Sequence, residues 1–226
     1  MIKVISLGGS IVAPDSVDTA YLAEFVRLVR GYLDADVRRR LILVIGGGAP
    51  ARNYQAAYRK IAESPGADAQ DWIGIAATRL NGELVRSLFS GDCREALVTD
   101  PEAAEFSGRI LVAAGWKPGF SSDYDAVFLA EKFGAHTVIN LSNINKVYTA
   151  DPRTDPSARP LDTLSWDEFR AIVGDEWTPG KNAPFDPIAA RKAAQLKMKV
   201  IVAAGKDLVS LKAILEDKPF TGTTIG

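Results

Sequence analysis

The chain reads as an α/β protein, a three-layer α/β/α sandwich around a mainly parallel open sheet. Three observations predict this class. Short continuous apolar runs of strand length recur along the chain, as in Val4 to Leu7, residues 41–45 and residues 137–141. Between them lie stretches with apolar residues at helical spacing, so strand and helix patterns alternate, the signature of a parallel sheet covered on both faces. The first two runs also stop in glycine clusters, Gly8-Gly9-Ser10 and Gly46-Gly47-Gly48, where a buried strand would turn sharply into a helix.

Each element follows from local pattern. After the first glycine turn, Val17, Tyr21, Phe25, Leu28 and Tyr32 fall on one helical face. Residues 41–45 form the second strand and 51–62 a short helix. Residues 68–90 predict a long helix whose apolar face carries Trp72, Ile73, Ala76, Leu80, Leu84, Val85 and Leu88; its length and small residues suit a contact between subunits. Residues 97–99 and 110–114 are short strand candidates, followed by a turn at Pro118-Gly119 and a helix over 123–133. The strand at 137–141 leads into a loop containing Pro152, Pro156 and Pro160. There Ser165-Trp166-Asp167-Glu168 has the Ser-x-x-Glu form of a capping box that restarts helix. Helix 186–196, strand 199–203, helix 208–215 and strand 221–225 complete the pattern. With no internal repeat, low-complexity tract or long linker, residues 1–226 predict a single domain.

Composition excludes several function classes. The 226 residues are 47% hydrophobic, enough to bury a core without disulfides or metals. Lys and Arg total 27 against 28 Asp and Glu, a net charge of −1, so no global field draws the chain to nucleic acid or an anionic membrane. No apolar run approaches the ~20 residues a bilayer requires, and no leader pattern precedes the first strand. A lone cysteine, Cys93, reads as an apolar filler in a reducing, cytoplasmic setting. His136 is the single histidine, and nothing of complementary chemistry stands near it in sequence, so it reads as structural.

The glycine clusters carry the chemistry. A strand that ends in glycine and opens a helix offers unpaired amides and the positive end of the helix dipole, a cradle for phosphate. Neither cluster has the Walker A or the dinucleotide-binding spacing, because no Lys-Ser/Thr follows and no third glycine falls at the needed offset. The plainer alternative is that the glycines serve only tight turns.

In their order along the chain, Gly8-Gly9-Ser10, Gly46-Gly47-Gly48 with Arg52, Asp71-Trp72-Ile73-Gly74-Ile75, Pro118-Gly119-Phe120-Ser121-Ser122-Asp123, Val147-Tyr148-Thr149-Ala150-Asp151-Pro152, Phe185-Asp186-Pro187 and Gly222-Thr223-Thr224 resemble the amino acid kinase family over the whole chain. Within it the likeness is to the uridylate kinase branch of archaeal type. The resemblance implies a lobe of about 1–135 for the phosphate acceptor and one of about 136–226 for ATP with Mg²⁺.

For the acceptor, UMP, it implies contacts from Gly46, Gly47, Gly48 and Arg52 to phosphate, from Asp71 to ribose, and from Ser121 and Ser122 to phosphate or base. Gly8, Gly9 and Ser10 would face the transferring group and the ATP tail, with Asn143, Lys146, Tyr148, Asp151 and Pro152 around the nucleotide. Asp186 would stand near the reaction centre. UMP and ATP would yield UDP and ADP, a step of pyrimidine nucleotide synthesis, in a homodimer that could assemble further into a hexamer.

Two departures bear on this reading. Many family members carry lysine where this chain has Ser6, and Lys3 lies too far back to replace it, which leaves Lys117 and Lys181 as candidate cations. The family's Asn-Val-Asp-Gly turn reads Asn143-Ile144-Asn145-Lys146, losing a carboxylate and placing Lys146 where a turn with positive φ would strain it. A different acceptor (carboxylate, carbamate or isoprenoid phosphate) and a catalytically impaired nucleotide-binding or storage protein remain as alternatives.

Overall fold

A computed structural model describes residues 1–174 and 183–226. The elements run β1 (Ile2–Leu7), α1 (Gly9–Val12), α2 (Thr19–Asp34), β2 (Arg40–Ile45), α3 (Gly48–Ile61), α4 (Ala67–Leu88), β3 (Ile110–Ala114), α5 (Ser122–Lys132) and β4 (Thr137–Ser142). There follow β5 (Val147–Tyr148), β6 (Pro160–Leu161), β7 (Thr163–Leu164), α6 (Trp166–Val173), α7 (Pro187–Gln195), β8 (Lys199–Ala204), α8 (Leu208–Leu215) and β9 (Thr223–Ile225).

Seven strands form one sheet in the order β3-β2-β1-β4-β8-β9-β7, while β5 and β6 pair as a separate antiparallel ribbon. All pairs in the main sheet are parallel except β8 with β9. Alternation along each strand sends side chains to two cores. Val4, Val44, Val138 and Val202 face α5, α6 and α7, whose Leu129, Phe169 and Ala190 are fully buried against them. Ile5, Leu43, Ile139 and Ala203 face α2, α8 and the end of α4, where Phe25, Leu211 and Phe89 are fully buried. Helices therefore cover both faces, the three-layer α/β/α sandwich that the alternating pattern predicts.

The capping box at Ser165 forms as its sequence implies: the Ser165 side chain accepts from the Glu168 amide while the Glu168 carboxylate accepts from the Ser165 amide. Other local readings need correction. Residues 97–99 form no strand, only a single parallel bridge from Val98 to Ala113, because the run is too short to sustain a ladder. The apolar face of α4 divides: Ile75, Gly82 and Val85 turn inward with Asn81, whereas Trp72 and Leu80 are 49% and 69% exposed. Strands β5, β6 and β7, of two residues each, lie below the length that periodicity detects.

Lys3 is buried on β1, and its ammonium donates to Ile214 O and Leu215 O, each at 2.9 Å, and to Asp217 Oδ1 at 2.7 Å. It thus caps the carboxyl end of α8, where a cation offsets the helix dipole and orphan carbonyls. Its place at the amino end of β1 keeps it from substituting for a cation near Ser6. Lys3→Met is expected to destabilise the fold by about 2 kcal/mol, read as a lower urea midpoint with an unchanged slope.

Candidate active site

The parallel strands β1 and β2 are in register from Ile2↔Arg40 to Leu7↔Ile45, so both end at one level and deliver their glycine turns side by side. The turns touch main chain to main chain. A Cβ at Gly9 would lie 2.0 Å from Gly48 N and 2.5 Å from Gly46 C, and one at Gly46 would lie 2.4 Å from Gly9 N. Gly48 also takes φ +66°, a left-handed conformation that favours glycine.

Hydrogen bonding sorts the amides of these turns. Gly8 N donates to Leu141 O at 2.8 Å and Gly46 N to Leu7 O at 3.0 Å, so both serve the sheet. Among the described residues, the amides of Gly9, Ser10, Gly47 and Gly48 have no acceptor. They open the helices α1 and α3, where such donors collect anions. Arg52, one turn into α3, donates to Ser10 Oγ at 3.0 Å and to Pro14 O at 3.1 Å, and so holds a guanidinium beside them.

Helix α4 braces this region with polar side chains on its inner face. Asn81, 3% exposed, donates to Gly46 O at 2.9 Å and Gly47 O at 3.0 Å. Thr78 Oγ1 accepts from Gly115 N at 2.8 Å, Arg79 donates to Gly115 O and Trp116 O, and Asp71 Oδ2 accepts from Gly119 N at 3.0 Å. The 115–119 loop, with Gly119 at φ +84°, is thereby fixed against α4 just before α5. Ser121 caps α5 by accepting from Tyr124 N, and Ser122 is its first residue.

Two acidic residues occupy the first turn of α5. Asp123 Oδ1 accepts from Ser6 Oγ at 3.0 Å, and its Oδ2 accepts from Asp186 N at 3.1 Å, so one carboxylate joins the ends of β1, α5 and α7. Asp186 in turn caps α7 by accepting from Ala189 N at 2.7 Å. Burial raises the Asp123 carboxyl to about 6 against the hydrogen bonds it accepts, and neighbouring Asp186 pushes the same way. Asp125 is fully buried; one oxygen accepts from Trp116 N at 3.3 Å and Oδ1 has no partner. Burial, with repulsion from Asp123, raises it to about 7.

Residues assigned to the nucleotide lie on the loop leaving β4 and on the β5–β6 ribbon. Exposed Asn143 opens that turn, Lys146 pairs with Asp162, and the Tyr148 hydroxyl donates to Asn145 Oδ1 at 3.3 Å. Asp151, followed by Pro152, pairs with Arg153 at 2.8 Å. Lys146 keeps a negative φ, so the expected strain at this turn is absent. The Lys117 ammonium stands 3.8 Å from the Trp116 ring centroid, held by cation–π attraction at the loop surface. Lys181 lies outside the described residues. His136 is exposed at the amino end of β4, opposite the glycine turns, and burial raises the half-buried Cys93 thiol to about 11.

Sequence patterning assigns no task to Asn81, Asp123 or Asn140. Asn140, 4% exposed, donates to Pro184 O at 2.8 Å and so positions the approach to Asp186. The available signal is a polar residue interrupting an apolar face: Asn81 within α4, Asn140 within β4 and Asp123 at the start of α5.

Free helix-start amides, a guanidinium and a buried carboxylate equip an α/β protein for phosphoryl transfer. The chain belongs to the amino acid kinase family, whose profile matches residues 1–204. It is 36% identical over 225 residues to a uridylate kinase of Thermoplasma volcanium, covering 98% of this chain and 96% of that protein. With a uridylate kinase of Methanospirillum hungatei it shares 32% identity over 228 residues, covering 98% and 93%. The crystal structure of uridylate kinase from Archaeoglobus fulgidus superposes with a TM-score of 0.85 at 31% identity, covering both chains completely.

The Asp125 carboxyl ionises near 3.8 when unfolded and near 7 when folded, so its contribution to stability is complete below about pH 4 and lost as pH rises through 7. Asp125→Asn, which cannot ionise, is therefore expected to be more stable than the parent at pH 8 by up to about 4 kcal/mol. Urea unfolding at pH 8 and pH 5 should show that advantage shrinking at the lower pH.

Proposed function

We propose that this protein transfers the γ-phosphoryl group of ATP to UMP, giving UDP and ADP. The observation that carries the reading is the pair of touching glycine turns with acceptor-free amides at Gly9, Ser10, Gly47 and Gly48, in a chain that matches uridylate kinases along nearly its whole length. In this reading the lobe of about 1–135 holds UMP and that of about 136–226 holds ATP. Gly47, Gly48 and Arg52 bind the UMP phosphate, Asp71 accepts from its ribose hydroxyls, and Ser121 and Ser122 border the base or phosphate. Gly9 and Ser10 face the transferring group, while Gly8 and Gly46 allow the close approach. Asn143, Lys146, Tyr148, Asp151 and Pro152 line the donor nucleotide. The Lys146–Asp162 and Asp151–Arg153 pairs are exposed, so exchanging them for ligand contacts costs little.

A UMP phosphate oxygen forms a bond to the γ-phosphorus as the bond from that phosphorus to the β–γ bridging oxygen breaks, and ADP leaves with the electron pair. The acceptor is largely a dianion at neutral pH, since a phosphate monoester loses its second proton near ~6, and no general base is required. Amides and cations then neutralise charge as it spreads over the transferring group. Asp123 acts as a positioning residue that locks Ser6 and the start of α7.

ATP enters as its Mg²⁺ complex. Such an ion is carried mostly by polyphosphate and needs one or two protein carboxylates. Asp186 suits that part, because among the described residues only its Oδ1 is engaged, in capping α7. The ion supplies charge neutralisation and orientation of the phosphates. The exposed apolar residues Trp72 and Leu80 on α4, with Tyr54 and Ile61 on α3, provide a face for a homodimer.

A panel assay following ADP release is expected to show turnover with UMP and none with carbamate, carboxylate or isoprenoid phosphate acceptors. Turnover of one of those without UMP would overturn the reading, as would ATP binding without transfer. In the same assay Arg52→Ala should raise KM for UMP about 10- to 100-fold while changing KM for ATP less than about threefold.

A further inference from the structure

We infer that Asn81 is a positioning residue for the acceptor phosphate, acting through the main chain of the glycine turn. The inference deepens the kinase reading and rests on it for the identity of the anion. Asn81 sits on the inner face of α4, nearly free of solvent, and its amide nitrogen donates to Gly46 O and Gly47 O. No peptide bond in the described residues is cis, so each carbonyl points opposite to the N–H of the next residue. The two carbonyls that Asn81 holds belong to the peptide planes carrying the Gly47 and Gly48 amides. Those are the two amides of this turn with no acceptor among the described residues. By drawing both oxygens toward α4, one buried side chain turns both N–H groups the other way.

The sequence makes such control necessary. Three consecutive glycines place no Cβ of their own against rotation of either peptide plane, so local φ/ψ preference does not select one orientation. A flipped plane would present a carbonyl oxygen to an anion where an amide is needed. Asn81 supplies the missing preference, and it does so from a helix that also fixes the 115–119 loop through Thr78 and Arg79. A donor is essential: aspartate has the same shape, but its carboxylate would repel both carbonyls.

Calorimetry with UMP, uridine and an ATP analogue tests this on the full chain, comparing the parent with Asn81→Ala, Asn81→Asp and Asn81→Ser. The parent is expected to prefer UMP over uridine. That preference should fall about 10- to 100-fold in Asn81→Ala and further in Asn81→Asp, and Asn81→Ser, which keeps one donor, should be intermediate. Uridine and ATP-analogue affinities should stay within about threefold, which separates positioning of phosphate from general loss of structure. An unchanged UMP-to-uridine ratio in folded Asn81→Ala or Asn81→Ser, or equal weakening of all three ligands, would overturn the inference and leave the kinase reading standing. A parent protein that binds UMP no better than uridine would overturn both.

Discussion

The direct contact of two glycine turns, main chain against main chain, is the constraint around which the protein is arranged. It arises because β1 and β2 are adjacent, parallel and in register, so their carboxyl ends meet at one height. Any side chain at Gly9 would collide with backbone that cannot give way. The contact is held from several sides: Ala49 N donates to Ala13 O across it, Arg52 reaches Ser10, and Asn81 grips it from α4. Opening at the carboxyl ends of a parallel sheet, where helix starts converge, is the general place for ligand sites in such folds.

The second organising feature is acidic. Asp123 and Asp125 share the first turn of α5, where the helix dipole favours negative charge, yet their surroundings differ. Asp123 accepts two hydrogen bonds that link three elements, whereas Asp125 accepts one long bond and leaves an oxygen unpaired. A carboxylate with few partners in a dry site raises its own proton affinity instead of remaining charged. The same helix start thus carries one acid that ties strands to helices and another that weakens the fold when ionised.

Much of the architecture was legible in the sequence because buried parallel strands are continuous apolar runs and their helices show period 3.6, as in Val4 to Leu7 and the Tyr21-Phe25-Tyr32 face. The glycine clusters also announced themselves, since few other residues permit such an approach. What escaped was tertiary. The orientation of Asn81 toward two carbonyls depends on how α4 crosses the turn, and no spacing rule encodes it. The division of the α4 face into an inner row at Ile75 and Val85 and an outer one at Trp72 and Leu80 depends on what covers each side. The short strands β5, β6 and β7 owe their existence to partners distant in sequence, β7 to β9 above all.

That last pairing bears on how the chain is assembled during synthesis. β1 emerges first; β2 and β4 can add to its two sides, and β3 to β2, as they appear. β7 has no such foundation: its strand neighbour is β9, and β9 reaches the sheet only through its antiparallel pairing with β8. Residues 163–164 therefore wait for residues 223–225, some 60 positions later, before they gain a place in the ladder. Contacts of such sequence separation are slow to form, so the β7 edge of the sheet is complete only once β9 is seated between it and β8.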